Sequence, residues 1–209
     1  MPIFDITLPL SDSTPLYPGD PPFVFDLYNC MADGKSSNGS RLQMGSHNGT
    51  HIDAPFHFIP GGLTVEAIPL DVLVGPCLLV DVGNADRITR QVLEPLPLAG
   101  HKRLLFRTKN SAWLRERFEE KFVAFSADGA KYLAELQPVL IGIDAPSLDP
   151  RGTPGHPAHA AILGSPTIKG ALEWLNLGGL EPGEYEIFCG PLRVVGAEGA
   201  PCRVLLRRP

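Results

Sequence analysis

Proline and glycine punctuate this chain from end to end. There are 22 of each among 209 residues, and proline stands at roughly twice its usual share. Proline fixes φ and lacks an amide donor, while glycine leaves the backbone loose, so neither suits the interior of a long helix. The two are scattered rather than massed, so they end elements instead of marking a disordered tract. The chain is thereby limited to many short elements joined by tight turns.

Between these breakers lie apolar, β-branched-rich runs of strand length. The pattern predicts strands at Ile3–Leu8, Phe23–Tyr28, Arg41–Met44, Cys77–Val82, Arg103–Arg107, Val139–Asp144, Tyr185–Cys189 and Arg203–Leu206. Helices are fewer. Ser126 is placed to cap one running through Ala130–Gln137, whose Tyr132, Leu133 and Leu136 share a face. Thr89–Leu93 and Ala112–Phe118 are shorter candidates, and Pro157–Leu163 opens with proline in its first turn. No internal repeat, linker or low-complexity tract divides the chain. The reading is one α/β domain over residues 1–209, rich in strands.

Composition narrows the function. The formal net charge is −5 and no run of Lys or Arg interrupts the chain, which argues against a nucleic-acid partner. The longest apolar runs are strand-sized, far short of a bilayer span. The first ten residues lack the charged start and long apolar core of a signal peptide. A cytoplasmic protein without a membrane partner is expected. Cys30, Cys77, Cys189 and Cys202 form no C-x-x-C pair, and three lie in or beside apolar runs. They read as small buried hydrophobes.

The chemistry is concentrated in residues 47–58, His-Asn-Gly-Thr-His-Ile-Asp-Ala-Pro-Phe-His-Phe, which hold three of the six histidines. Gly49, the β-branched Thr50 and Ile52, and Pro55 oppose a helix here. In an extended chain His47, His51, Asp53 and His57 share strand parity, but His47 and Asp53 would then stand about 20 Å apart. Ligands of one ion must converge, so the chain must reverse between His47 and His51, and Gly49 permits it. His51 and Asp53, two apart, then point together. Imidazoles and a carboxylate without thiolate suit Zn²⁺, Mn²⁺ or Fe²⁺. Three protein ligands leave positions open, as in catalytic rather than structural sites.

A second cluster lies near His156 and His159, where a Pro/Gly-rich loop enters the Pro157 helix, and Glu173 follows. His159 and Glu173 are plausible ligands and His156 reads as a surface loop residue. Asp144, at a strand end, either orients a ligand histidine or caps a loop.

The motif H-x-G-T-H-x-D-x-P-x-H-F closely resembles the signature of bacterial kynurenine formamidases, the cyclase family of metal-dependent hydrolases. His47, Gly49, Thr50, His51, Asp53, Pro55, His57 and Phe58 supply it. The likeness continues through Leu16–Asp20, Pro69–Asp71, Gly75–Cys77, Arg107–Thr108, Gly142–Asp144, Pro146–Asp149, Gly183–Tyr185 and Pro191–Arg193, nearly the whole chain. The resemblance implies a compact α/β domain around a barrel-like mixed sheet with few helices, acting as a homodimer. It implies hydrolysis of an N-formyl aryl amide, N-formylkynurenine giving kynurenine and formate. His47, His51 and Asp53 would bind one divalent ion, Zn²⁺ ahead of Mn²⁺. Asp53 would bridge to a second ion held by His159 and Glu173. His57 would be the catalytic acid and base, and Tyr17 would meet the substrate ring.

Two departures stand out. The His159–Glu173 spacing is about two residues longer than formamidases lead one to expect, as if Ser165 and Pro166 were inserted. Tyr17 stands where formamidases usually carry tryptophan. The alternatives are opening of a cyclic amide, as isatin hydrolases do, hydrolysis of another small amide or ester, or metal binding without catalysis.

Overall fold

The structure, a computed structural model, describes residues 1–208. Its strands are β1 (Ile3–Asp5), β2 (Val24–Asn29), β3 (Gly39–Gln43), β4 (His51–Asp53), β5 (Val74–Asp81), β6 (Arg103–Arg107), β7 (Leu140–Ile143), β8 (Gly170–Glu173), β9 (Gly183–Pro191) and β10 (Gly199–Arg207). Four short helices accompany them: α1 (Leu70–Leu73), α2 (Arg90–Leu93), α3 (Ala127–Glu135) and α4 (Pro157–Leu163).

The sheet order is β1-β10-β4-β8-β7-β6-β5-β9, and β9 pairs again with β10. Seven strands therefore close into a ring, while β1 continues the edge of β10 that β4 occupies at its other end. Strands β5 to β8 run parallel and the remaining pairings are antiparallel. This is the barrel-like mixed sheet that the resemblance implied.

Strand alternation divides the core. Ile52, Leu79, Leu105, Leu172, Ile187 and Val204, one from each of six strands, share one cluster inside the ring. Their neighbours Leu78, Val80, Leu104, Phe106, Ile141 and Ile143 face outward into a second cluster with α3 and α4. Strands buried on both faces read as continuous apolar runs, as parallel strands do. The outer face of β4 and β8 carries His51, Asp53, Ala171 and Glu173 on the side that α4 covers.

Several expected elements are shorter than predicted. The first strand stops at Asp5, and Val139 and Asp144 lie outside β7. Ala112–Phe118 is not helical. Only a 3₁₀ turn over Lys109–Ala112 forms there, and the following residues are turn and loop. The Asn110 side chain explains this: it donates to the Val123 carbonyl and accepts the Val123 amide, each at 2.9 Å, holding the segment against a distant loop. Ser126 does cap α3 by accepting from the Gly129 amide, and Pro157 opens α4.

Strands β2 and β3 form a ribbon hydrogen-bonded to no other strand among the described residues. Phe25 and Leu42 face each other across it, and both are exposed together with Leu27. Cys77, Cys189 and Cys202 are buried, and none of the four cysteines is in a disulfide. Among the described residues no helix is long and apolar enough to cross a membrane.

Candidate metal centre

The predicted backbone reversal lies at Gly49, which has φ +65°. A turn brings the chain into β4, and a side chain there would also meet Leu10 Cδ2 at 2.7 Å. Thr50 then fastens the strand. Its hydroxyl donates to the Trp174 carbonyl at 2.6 Å and accepts the Leu8 amide at 2.9 Å. Beyond Asp53, a 3₁₀ turn over Pro55–His57 swings His57 back above the strand. Gly199 lies opposite Asp53 on β10, and a side chain there would stand 2.7 Å from His47 Cε1. The glycine leaves space for that imidazole.

Five predicted residues converge. His47 Nδ1 is 2.9 Å and His51 Nε2 3.2 Å from Asp53 Oδ1. His159 Nε2 stands 3.2 Å from Glu173 Oε1 and 3.6 Å from Asp53 Oδ2. His51 Nε2 is 3.5 Å from Glu173 Oε2. His51, Asp53, His159 and Glu173 are all buried. His57 joins from the other side: its ring centroid is 4.2 Å from that of His47 and 6.0 Å from that of His159. Phe58 stacks on His159 at 4.3 Å and meets His57 edge-on at 4.5 Å.

Despite this proximity, His51 Nε2 and both oxygens of Asp53 have no hydrogen-bond partner among the described residues. Buried polar atoms are rarely left so. Donor atoms gathered this closely, yet hydrogen-bonded to nothing, suit a shared cation. Three sets of three possible ligand atoms lie within 4.8 Å of one another among the described residues: His51, Asp53 and Glu173; His47, Asp53 and His57; and, behind them, Asp149, His156 and His159. A nitrogen and oxygen donor set without thiolate fits Zn²⁺, Mn²⁺ or Fe²⁺.

The opposite edge of each imidazole is anchored. His51 Nδ1 lies 2.9 Å from the Gly49 carbonyl, His159 Nδ1 2.6 Å from Asp149 Oδ2, and His47 Nε2 3.2 Å from Glu198 Oε1. Ser46 donates to that same Glu198 oxygen at 2.6 Å. The carboxylate behind His159 is that of Asp149, and Asp144 touches none of these imidazoles. Asp144 instead caps the loop after β6, accepting the Thr108 amide and the Ser111 hydroxyl.

The charges are strongly coupled. Burial works against protonation of His51, yet the Asp53 and Glu173 carboxylates outweigh it and raise this group to about 10. Burial also opposes ionisation of Asp53, but the three imidazoles around it hold its carboxyl well below the usual range. His57 behaves differently: burial dominates and lowers it, so it is neutral at pH 7.

The centre floors a cleft of ≈ 160 Å³ whose walls include Tyr17, Asp20, Phe58, His156 and Trp174. Tyr17 is half-buried and packs edge-on against Phe118 with centroids 5.4 Å apart. His156 is exposed at the rim with φ +44°, and Trp174, next to Glu173, has φ +54°. Left-handed backbone at non-glycine residues costs roughly 1–3 kcal/mol and gathers at functional sites. Phe56 is exposed and outside the cleft. Ser165 and Pro166 fall in the loop between α4 and β8, so the two extra residues leave Glu173 in register. Asp20 and Asp149 entered the sequence reading only as ends of the family-like runs Leu16–Asp20 and Pro146–Asp149, with no role given to either, and Glu198 did not enter it.

The fold is shared with known proteins. A predicted metal-dependent hydrolase from Bacillus stearothermophilus superposes with a TM-score of 0.86 at 36% identity, covering 98% of this chain and 97% of that one. Isatin hydrolase A from Ralstonia solanacearum gives 0.82 at 25% identity over 98% and 91%. The kynurenine formamidase of Bacillus cereus (strain ATCC 14579) is 37% identical over 203 residues, 97% of this chain and 96% of the relative. The family model for Cyclase matches residues 4–150, a span that takes in the whole His47–Phe58 motif. With its sequence and its barrel both aligned end to end with such hydrolases, the chain belongs to the cyclase family.

Proposed function

We propose that the chain is a metal-dependent amidohydrolase that cleaves N-formyl aryl amides, with N-formylkynurenine as substrate and kynurenine and formate as products. The observation that carries this is the set of orphaned, buried donor atoms on His51 and Asp53 beneath an aromatic-walled cleft. Relatives of similar length named kynurenine formamidase support the substrate.

His47, His51 and Asp53 would hold one ion, and His159 and Glu173 a second that Asp53 bridges, with Zn²⁺ favoured over Mn²⁺. A divalent cation held there supplies Lewis-acid polarisation of an amide carbonyl and acidifies water. His57, neutral because burial lowers it, accepts a proton from the attacking water. It then delivers that proton to the departing aryl nitrogen, which leaves poorly without one. Tyr17 stacks on the aryl ring and orients it. The Asp53 and Glu173 carboxylates face the imidazoles and hold them in place. One water is consumed per C–N bond broken.

A second reading is opening of a cyclic aryl amide. The structural likeness to an isatin hydrolase favours it, as does Tyr17, smaller than the tryptophan of formamidases. Metal analysis of the purified protein, with turnover measured on N-formylkynurenine and isatin side by side, tests both. Turnover of neither by fully loaded protein would remove both.

We also infer a homodimer in the cytoplasm. An isolated two-stranded ribbon is marginal in water, and the exposed Phe25, Leu27 and Leu42 of β2 and β3 give it a face to cover with a second copy. Four cysteines without a disulfide suit a reducing compartment.

A further inference from the structure

Asp149 lies in the loop after β7 and is buried, with 1% exposure. Its carboxylate is fully engaged. Oδ1 accepts the Ala158 amide at 2.8 Å, and Oδ2 accepts the His159 amide at 3.0 Å. Both donors belong to the first turn of α4, which leaves its leading amides without partners in the helix. The same Oδ2 lies 2.6 Å from His159 Nδ1, the shortest of the three contacts that anchor the imidazoles. The preceding residue serves the other half of the site: the Leu148 amide donates to Glu173 Oε1 at 2.7 Å. Two consecutive residues thus fix both His159 and Glu173.

We propose that Asp149 is a positioning residue of the metal centre. It places the His159 proton on Nδ1 and aims Nε2 at the point shared with Asp53 and Glu173. A charged acceptor behind a ligand imidazole also strengthens it as a donor, and loss of such a partner typically weakens metal binding about 10–100-fold. A backbone carbonyl, which serves His51, orients without this charge. The inference rests on the reading of the site as a metal centre.

The test is Asp149→Asn, which keeps shape and an acceptor oxygen but removes the charge. Zinc affinity is read by competition with a chelator, and the visible spectrum of the Co²⁺-loaded protein reports ligand geometry. Thermal melting in chelator controls for folding. The expected result is a folded variant with about 10–100-fold weaker zinc binding and altered Co²⁺ bands. A variant with wild-type affinity and spectrum would overturn the proposal and leave Asp149 as a helix cap. If the variant does not fold, nitrogen NMR of zinc-loaded wild-type protein decides. His159 carrying its proton on Nδ1 and zinc on Nε2 supports the proposal, and the reverse overturns it. Wild-type protein that takes up no zinc would instead overturn the metal reading itself.

Discussion

His51 and Glu173 are direct partners across the antiparallel pair β4–β8, with Nε2 and Oε2 3.5 Å apart. Directly opposed residues share a face of the sheet, so the register alone brings a histidine of the first motif to a carboxylate 122 positions later in the chain. Glu173→Gln keeps the oxygen that accepts the Leu148 amide, so the fold should persist. Metal content measured after dialysis should fall toward one ion per chain. kcat/KM should drop at least ~100-fold, about 3 kcal/mol of transition-state stabilisation. Unchanged metal content would remove Glu173 from the centre.

His57→Ala separates proton transfer from metal binding. The variant should retain its metal while kcat falls by roughly 10²–10⁴. Equal loss of metal would make His57 a ligand, in keeping with its closeness to His47 and Asp53. Burial lowers His57, so the neutral form needed to accept a proton persists below the ordinary histidine value. The acid limb of the kcat/KM profile should therefore lie below about pH 6.5 and disappear in the alanine variant.

Asp144 sets a pH dependence of stability away from the centre. Burial raises its carboxyl to about 7 against the hydrogen bonds from Thr108 and Ser111. The folded chain then holds this proton more tightly than the unfolded chain, whose value is near 3.8. The stabilisation is complete below pH 3.8 and is lost as pH rises through 7. Asp144→Asn should remove that contribution, flattening the urea-unfolding free energy across this window relative to wild type. Parallel curves for both proteins would contradict it.

Gly49→Ala tests the reversal that gathers the ligands. Left-handed φ costs a residue with Cβ roughly 1–2 kcal/mol, and the methyl would press on Leu10 Cδ2 at 2.7 Å. Chemical denaturation should show a loss of about that size, with weaker metal binding beside it. Wild-type stability would mean the turn tolerates another path.

The parts of the site that could be read from sequence were those governed by short-range geometry. The two-residue period placed His51 and Asp53 together, and the need for convergence located the turn at Gly49. Glu173 was reached mainly through family likeness. Its strand, Gly-Ala-Leu-Glu, contains no β-branched residue, and it is extended because β4 and β7 flank it. Leu114 and Phe118, four apart, mimic a helix face, but Asn110 binds that stretch to Val123. Glu198 meets His47 from 151 positions away, a contact that no local pattern encodes.

Crystals grown with zinc and measured at its absorption edge address the centre most directly. The expected result is anomalous density about 2.0–2.2 Å from His47, His51 and Asp53, with a second peak among Asp53, His159 and Glu173. Density absent from this cleft in zinc-grown crystals, with His51 and Asp53 turned apart, would contradict it.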